Sequence, residues 1–188
     1  MCLTLAVTCL FGVMAAYLAG SEVIVEDVYG YGAWFPVFFG AVAVLLMLTS
    51  LNNARLVGRI GLTRLLRGMA ILGVVLSTVL TLVSFVNDGR PNFWVFSVAI
   101  AITVPFAQGL VPNANTAAMM PMAHVAGTAA AVMSTISFAG GAVIGGVVSG
   151  AFDGTVRPMA VGILILMSTS AALILFGATS RPNRGVAG

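Results

Sequence analysis

The sequence predicts an all-α integral membrane protein with six transmembrane helices, from its composition and the lengths of its apolar stretches. Of the 188 residues, 60% are hydrophobic and 7% charged, against about 25% charged in a soluble domain. A helix needs about 20 mainly apolar residues to cross a bilayer, and six stretches meet this without a central carboxylate. We expect one six-helix domain over 1–188, with spans at 3–19, 33–51, 69–86, 93–111, 126–152 and 159–178.

The first stretch reads as a span rather than a cleaved signal peptide. It has no basic residues before its apolar run, and the residues from Tyr17 to Gly20 make a poor small-residue cleavage site. Cys2 and Cys9 both fall inside it, too few for a disulfide framework and without partners for a metal. We expect two buried thiols without a functional role.

The second span is followed by half of the basic residues, and their distribution predicts the orientation. Arg55, Arg59, Arg64 and Arg67 stand between the second and third spans, whereas Arg90 and Arg157 fall in loops on the opposite side. Short arginine-rich loops stay in the cytoplasm. With Arg181 and Arg184 after the sixth span, we expect both termini in the cytoplasm and the protein in a bacterial inner membrane.

The same loop leaves two interpretations open. Arg55 and Arg59 are four residues apart, so in a short amphipathic link they share one helical face at the membrane edge. Together with Arg64 they either reach into lipid headgroups and fix the topology, or form a cytoplasmic latch that breaks when helices move.

The third and sixth spans are bounded by turn residues. The segment from Asn87 to Pro91 follows the third span, and Asp153 and Gly154 precede the sixth. Gly, Pro, Asn and Asp are the residues that tight reversals need. Both turns fall on the outer side of the predicted topology.

The fourth span carries prolines and amides. Pro105 and Pro112 remove backbone donors and are expected to bend or interrupt the helix near its cytoplasmic end. Interrupted helices persist at membrane depth only where they line a cavity or are buried in protein. The amides of Gln108, Asn113 and Asn115 therefore either line a solute pathway or hydrogen-bond to neighbouring helices.

The fifth span is rich in small residues at a spacing of four. Small side chains let helix backbones approach closely in lipid. They allow either static packing or a helix that slides or pivots against its neighbour. The expected packing positions are Gly141, Gly145, Gly146 and Gly150.

Enzymatic chemistry has no support in the sequence. There is no Gly-rich phosphate loop and no Gly-x-Ser-x-Gly or Ser-x-x-Lys element, and the single histidine cannot anchor a metal cluster. We expect no cofactor. The charges are too few and too scattered for nucleic-acid binding.

The order of short signatures resembles the C-terminal half, helices seven to twelve, of a major facilitator superfamily transporter. It is most similar to the Bcr/CflA branch of drug–proton antiporters. The signatures are Ala16-Tyr17-Leu18-Ala19-Gly20-Ser21, Asn53-Ala54-Arg55-Leu56 with Arg59-Ile60-Gly61, Gly109-Leu110-Val111-Pro112-Asn113-Ala114, and Asp153-Gly154-Thr155. They follow collinearly over nearly the whole chain.

The resemblance implies two inverted three-helix repeats and efflux of a small amphipathic or cationic solute by alternating access. Tyr17, Phe106, Gln108, Asn113 and Asn115 are then expected along the solute pathway.

The chain also departs from the family pattern. Gly58 stands where the superfamily's loop motif often has an acid, and Val125 where the branch often has a charge. The family's first six helices, which carry its proton-binding carboxylates, have no counterpart here. Glu22 is the one candidate proton site, if the first helix runs past Ser21.

Three functional classes remain open at this stage. The chain is half of a transporter that acts with an N-terminal six-helix half, or a small exporter formed by two copies, or a truncated fragment that does not transport. Six further spans encoded before Met1 would favour the first class.

Overall fold

The computed structural model describes residues 1–120 and 126–179, and every regular element in them is helical. Six helices are long and apolar enough to cross a membrane, which confirms the predicted fold class. They are α1 (Cys2–Val23), α2 (Phe35–Ile60), α3 (Leu62–Ser84), α4 (Phe93–Met119), α5 (Ala126–Gly150) and α6 (Arg157–Thr179). One short π-helix (Ile24–Val28) continues α1, and two 3₁₀ turns (Gly32–Trp34 and Val86–Gly89) precede α2 and α4.

Most of the helices extend beyond one end of the predicted span, whereas α5 ends at Gly150, short of the predicted 152. α1 with its π-helical continuation reaches Val28, nine residues past the predicted end at 19. α2 has 26 residues and is therefore about 39 Å long at 1.5 Å per residue, longer than the hydrocarbon core. Hydropathy identifies the part of a helix at membrane depth, whereas the backbone hydrogen bonds continue into the headgroup region.

The expected amphipathic link between the second and third spans is absent. α2 ends at Ile60 and α3 begins at Leu62, so Gly61 alone joins them. Gly61 has φ +85°, a conformation that only glycine adopts without strain. Arg55 and Arg59 therefore belong to the last turns of α2, and Arg64 to the first turn of α3. We call this side of the bundle the Gly61 end.

The opposite side, the Asp88 end, is held by contacts between two turns. Asn87 and Asp88 take positive φ values of 50° and 55° between α3 and α4. Arg157 at the start of α6 forms a salt bridge with Asp88 at 3.6 Å and lies over the ring of Phe85. The amide of Val156 donates to the carbonyl of Gly89 at 3.1 Å. The α3–α4 and α5–α6 turns are thereby tied together.

The helices pack in a two-fold pattern. α1 packs against α5 and α6, α4 packs against α2 and α3, and the pairs α1–α4 and α3–α6 meet across the centre. Exchanging α1 with α4, α2 with α5 and α3 with α6 leaves this set of contacts unchanged. Because each unit has three helices, the second enters the membrane from the opposite side. This arrangement is the one expected of two inverted repeats.

The core lies around α1, α4 and α6, and α2 is the least covered helix. Half of the apolar window of each of these three helices is buried in the bundle, against 6% for α2 and 22% for α5. Three hydrogen bonds from side chains to backbone carbonyls of other helices join the centre: Gln108 to Leu10 (2.9 Å), Ser170 to Ala6 (3.1 Å) and Thr81 to Ala160 (3.2 Å). The flanking helices α2 and α5 leave most of their surface for lipid or for another protein.

Candidate functional site

Four of the five residues predicted along the pathway lie on α4, and they fall on two sides of that helix. Phe106 and Asn113 are seven residues apart, as are Gln108 and Asn115. At 3.6 residues per turn, each pair shares a face, and the two faces are nearly opposite. In this conformation the four residues therefore do not lie on one face of α4.

The side of α4 with Asn113 is turned towards α2 and α3. Nδ2 of Asn113 donates to Oδ1 of Asn53 at 2.7 Å, and Nδ2 of Asn53 donates back to Oδ1 of Asn113 at 3.3 Å. Asn113 Nδ2 also lies 3.3 Å from the carbonyl oxygen of Gly109 and 3.8 Å from the sulfur of Met69. Both asparagines are buried. This reciprocal amide pair joins α2 to α4 near the Gly61 end.

Asn53 is the polar partner that we did not predict from the sequence. In the sequence, Asn53 stands out only as part of a family signature. Sixty residues separate it from Asn113, so no local pattern links the two. The available signal was an asparagine at the end of a long apolar stretch, where a buried amide without a partner is costly.

Phe106, on the same side as Asn113, is half-buried against α3. A side chain at Gly73 would lie 3.8 Å from its ring. In this conformation both residues therefore occupy packing positions between helices.

The side of α4 with Gln108 and Asn115 is turned towards α1. Gln108 is half-buried, and its Nε2 donates to the carbonyl of Leu10. Asn115 is also half-buried, and its amide makes no side-chain hydrogen bond within the described part of the chain. Of the predicted pathway residues, Asn115 is thus the one with free hydrogen-bonding groups and partial exposure.

Tyr17 is covered by aromatic residues of α2. Its ring stacks on that of Phe39, with 5.8 Å between centroids and 5° between planes, and meets Phe38 edge-on at 6.5 Å. Only 1% of the residue is exposed, and its hydroxyl has no partner among residues 1–120 and 126–179. Tyr17 can reach a solute only after α2 moves away from α1.

The four glycines of α5 divide into two pairs. Gly141 and Gly145 are buried against α1, and a Cβ at Gly145 would lie 2.8 Å from the carbonyl carbon of Ala15. Gly146 and Gly150 are exposed, and a Cβ there would meet no atom within 4 Å. With Met133 and Ser137, the buried pair forms a stripe at a spacing of four along the side of α5 that faces the bundle.

The charged candidates are all exposed. Arg55, Arg59 and Arg64 lie at the Gly61 end, and none of them forms a salt bridge with a described residue. Glu22 is exposed in the last turn of α1, which does run past Ser21. Arg181 and Arg184 lie outside the described residues. No cluster of histidine, cysteine or carboxylate side chains suited to a metal occurs in the part of the chain that the structure describes.

Comparison with known proteins gives one informative similarity. The chain is 26% identical over 168 residues to a bicyclomycin resistance protein homolog of Haemophilus influenzae. The matched part covers 88% of this chain but 42% of the relative, so the chain spans less than half of that protein's length. No protein-family model matches the chain, and no solved structure does. The similarity supports the Bcr/CflA branch loosely, and the fold identifies a multi-pass membrane protein.

Proposed function

We propose that this chain is one six-helix half of a membrane transporter that exports small amphipathic or cationic solutes by alternating access. The observation that carries the proposal is the two-fold packing of α1–α3 on α4–α6. It leaves the flanking helices α2 and α5 as two long, uncovered faces. The resistance function in the name of the Haemophilus influenzae relative supports export as the direction.

In a complete transporter, a second half would cover the exposed faces of α2 and α5. An N-terminal six-helix half, or a second copy of this chain, would pack beside α2 and α5 and enclose a cavity between the two halves. Proton coupling would reside in the N-terminal half, since the described spans hold no buried carboxylate. The exposed Arg55, Arg59 and Arg64 at the Gly61 end would then bind an acidic group of the other half and form the cytoplasmic latch.

The proposed orientation places the Gly61 end in the cytoplasm of a bacterial cell and the Asp88 end outside the inner membrane. Its support is the distribution of Arg55, Arg59, Arg64 and Arg67 against Arg90 and Arg157. Both termini are then cytoplasmic.

Within this proposal, Asn115 and Gln108 contact solute, and Tyr17 joins them when α2 moves. Phe106 and Asn113 support α4 from behind. We expect Asn115→Leu to lower export of a lipophilic cationic dye about fivefold, because a polar contact inside a membrane protein contributes about 1 kcal/mol. The measurement is dye efflux from cells that lack their own exporters and express this chain fused behind the N-terminal half of the Haemophilus influenzae relative.

The matched control is Thr116→Val, which changes the next residue of the same helix. Thr116 is exposed, and its hydroxyl returns to the carbonyl of Pro112 at 2.9 Å, so efflux should stay unchanged. Equal efflux in both variants and the parent, at equal protein levels, would remove Asn115 from the pathway.

A further inference from the structure

Two buried hydroxyls lie one helical turn apart on α1 and lack hydrogen-bond partners. Tyr17 is 1% exposed and Ser21 2%, and neither hydroxyl bonds to any residue that the structure describes. Residues four apart share one face of a helix. A third such hydroxyl belongs to Ser97 of α4, which lies in the same groove as Phe38 of α2. All three hydroxyls lie in the half of the bundle nearest the Asp88 end.

Most other buried hydroxyls of the bundle are satisfied. Thr103 donates to the carbonyl of Ala99 in its own helix, and Ser170 donates to the carbonyl of Ala6 in α1. A buried hydroxyl without a partner destabilises the conformation that buries it. The hydroxyls of Tyr17 and Ser21 therefore oppose the packing that covers them, and a conformation that admits water to this face of α1 relieves that cost.

The cover over this face is α2, which contributes two aromatic rings. Phe39 stacks on Tyr17, and Phe38 meets the same ring edge-on, whereas the backbones of α1 and α2 do not pack closely. Only Val42 and Asn53 of the 26 residues of α2 are buried. A space of about 420 Å³ separates the first turns of α2 from those of α4. At the Asp88 end, α2 is thus loosely held and has room to move.

The other end of α2 is fixed. Asn53 forms its reciprocal amide pair with Asn113 of α4, and Gly61 joins α2 directly to α3. Phe39 and Asn53 are fourteen residues apart, which is about 21 Å along a helix at 1.5 Å per residue. A tilt of α2 about the amide pair therefore moves the aromatic rings much further than it moves the Gly61 end.

We propose that α2 is a lid on α1. It tilts about the Asn53–Asn113 pair, lifts Phe38 and Phe39 off Tyr17, and opens the face with Tyr17 and Ser21 to water and solute. Ser21 is then a further pathway residue, one turn nearer the Asp88 end than Tyr17. Its contact with solute rests on the proposed function, whereas the motion of the lid does not.

Cysteine alkylation tests the lid in the full chain alone, in nanodiscs. With Cys2→Ser and Cys9→Ala as the background, Ser21→Cys is treated with N-ethylmaleimide, which reacts with the thiolate and so reports access to water. Ser137→Cys is the matched control: Ser137 is also 2% exposed with an unpartnered hydroxyl, but it lies on the buried stripe of α5. We expect Ser21→Cys to react at least about tenfold faster, because local opening requires less free energy than separating α5 from the bundle.

Two further variants test the cause of the opening. Tyr17→Phe keeps the ring stack and removes an unpartnered hydroxyl, so it should favour the closed lid and slow alkylation of Ser21→Cys about fivefold. Phe39→Ala removes the stack and should accelerate alkylation. Circular dichroism verifies that each variant is folded. Equal rates for Ser21→Cys and Ser137→Cys would overturn the proposal, and so would a rate that Tyr17→Phe leaves unchanged or raises.

The same reaction in the fusion with the N-terminal half of the Haemophilus influenzae relative separates the lid from the proposed function. A lipophilic cationic dye should protect Ser21→Cys from alkylation in this fusion. Dye export without protection would overturn the role of Ser21 in the pathway. Dye export by a fusion in which Ser21→Cys stays unreactive would overturn the lid and leave the transporter proposal standing. A lid that opens as expected in a fusion without export would contradict the transporter proposal alone.

Discussion

Gly145→Ala is expected to destabilise the bundle more than any other single methyl group added to α5. The new Cβ would lie 2.8 Å from both the carbonyl carbon of Ala15 and the amide nitrogen of Ala16. Those are backbone atoms, so no side chain can rotate away, and α5 must move off α1. Overpacking of this kind costs about 1–3 kcal/mol. The free energy of unfolding, measured by denaturant titration in detergent, should fall by that amount.

Gly146→Ala is the matched control, one residue further along the same helix. Its Cβ would meet nothing within 4 Å, and alanine favours a helix over glycine by about 1 kcal/mol. We expect the free energy of unfolding to stay the same or rise. If the two variants lose equal stability, α5 does not contact α1 through the stripe that contains Gly145.

The buried amide pair gives the second large effect. Asn113→Ala leaves the buried amide of Asn53 without its partner. Asn53→Ala leaves Oδ1 of Asn113 without its donor and Nδ2 with only the weaker contact to the carbonyl of Gly109 at 3.3 Å. We expect each change to cost about 1–3 kcal/mol. Replacing both removes the unpaired group as well, so the double variant should lose less stability than the two single losses combined. The double-mutant cycle therefore predicts a favourable coupling between the two positions.

The measurement is the same denaturant titration on all four proteins. Asn115→Ala serves as the control, since its amide has no side-chain hydrogen bond within residues 1–120 and 126–179. Single losses that simply add would show that Asn53 and Asn113 are not paired, and that α2 is held against α4 by apolar contacts alone.

The fold was largely predictable because its main determinant is local. A run of apolar residues needs no partner to be recognised as a span, and six such runs determined the fold class. The helix ends were less predictable. The residues from Leu62 to Arg67 include two arginines, so the sequence predicts a link there. They form the first turns of α3 instead. Arginine is a good helix former, and its charged head can reach water from the end of a span.

The candidate site was harder to predict because it depends on which helices meet. Composition alone cannot distinguish Gly145 from Gly146, since only the crossing of α1 and α5 determines which glycine is buried. Similarly, the sequence allows the amide of Asn113 either to line a cavity or to bond to a neighbouring helix. The structure shows the bond, and the partner is Asn53, sixty residues away in the sequence. Pro105 and Pro112 were expected to bend or interrupt α4; the interruption does not occur, since the helix continues through both prolines to Met119.

The most direct test of the half-transporter proposal is gradient-driven transport by the purified chain alone. Proteoliposomes that hold only this chain are given an imposed pH gradient and a lipophilic cationic dye. In parallel, vesicles hold the chain fused behind the N-terminal half of the Haemophilus influenzae relative. We expect no gradient-driven dye movement with the chain alone and clear movement with the fusion. Movement by the chain alone that disappears in Glu22→Gln would contradict the proposal and indicate an exporter formed by two copies.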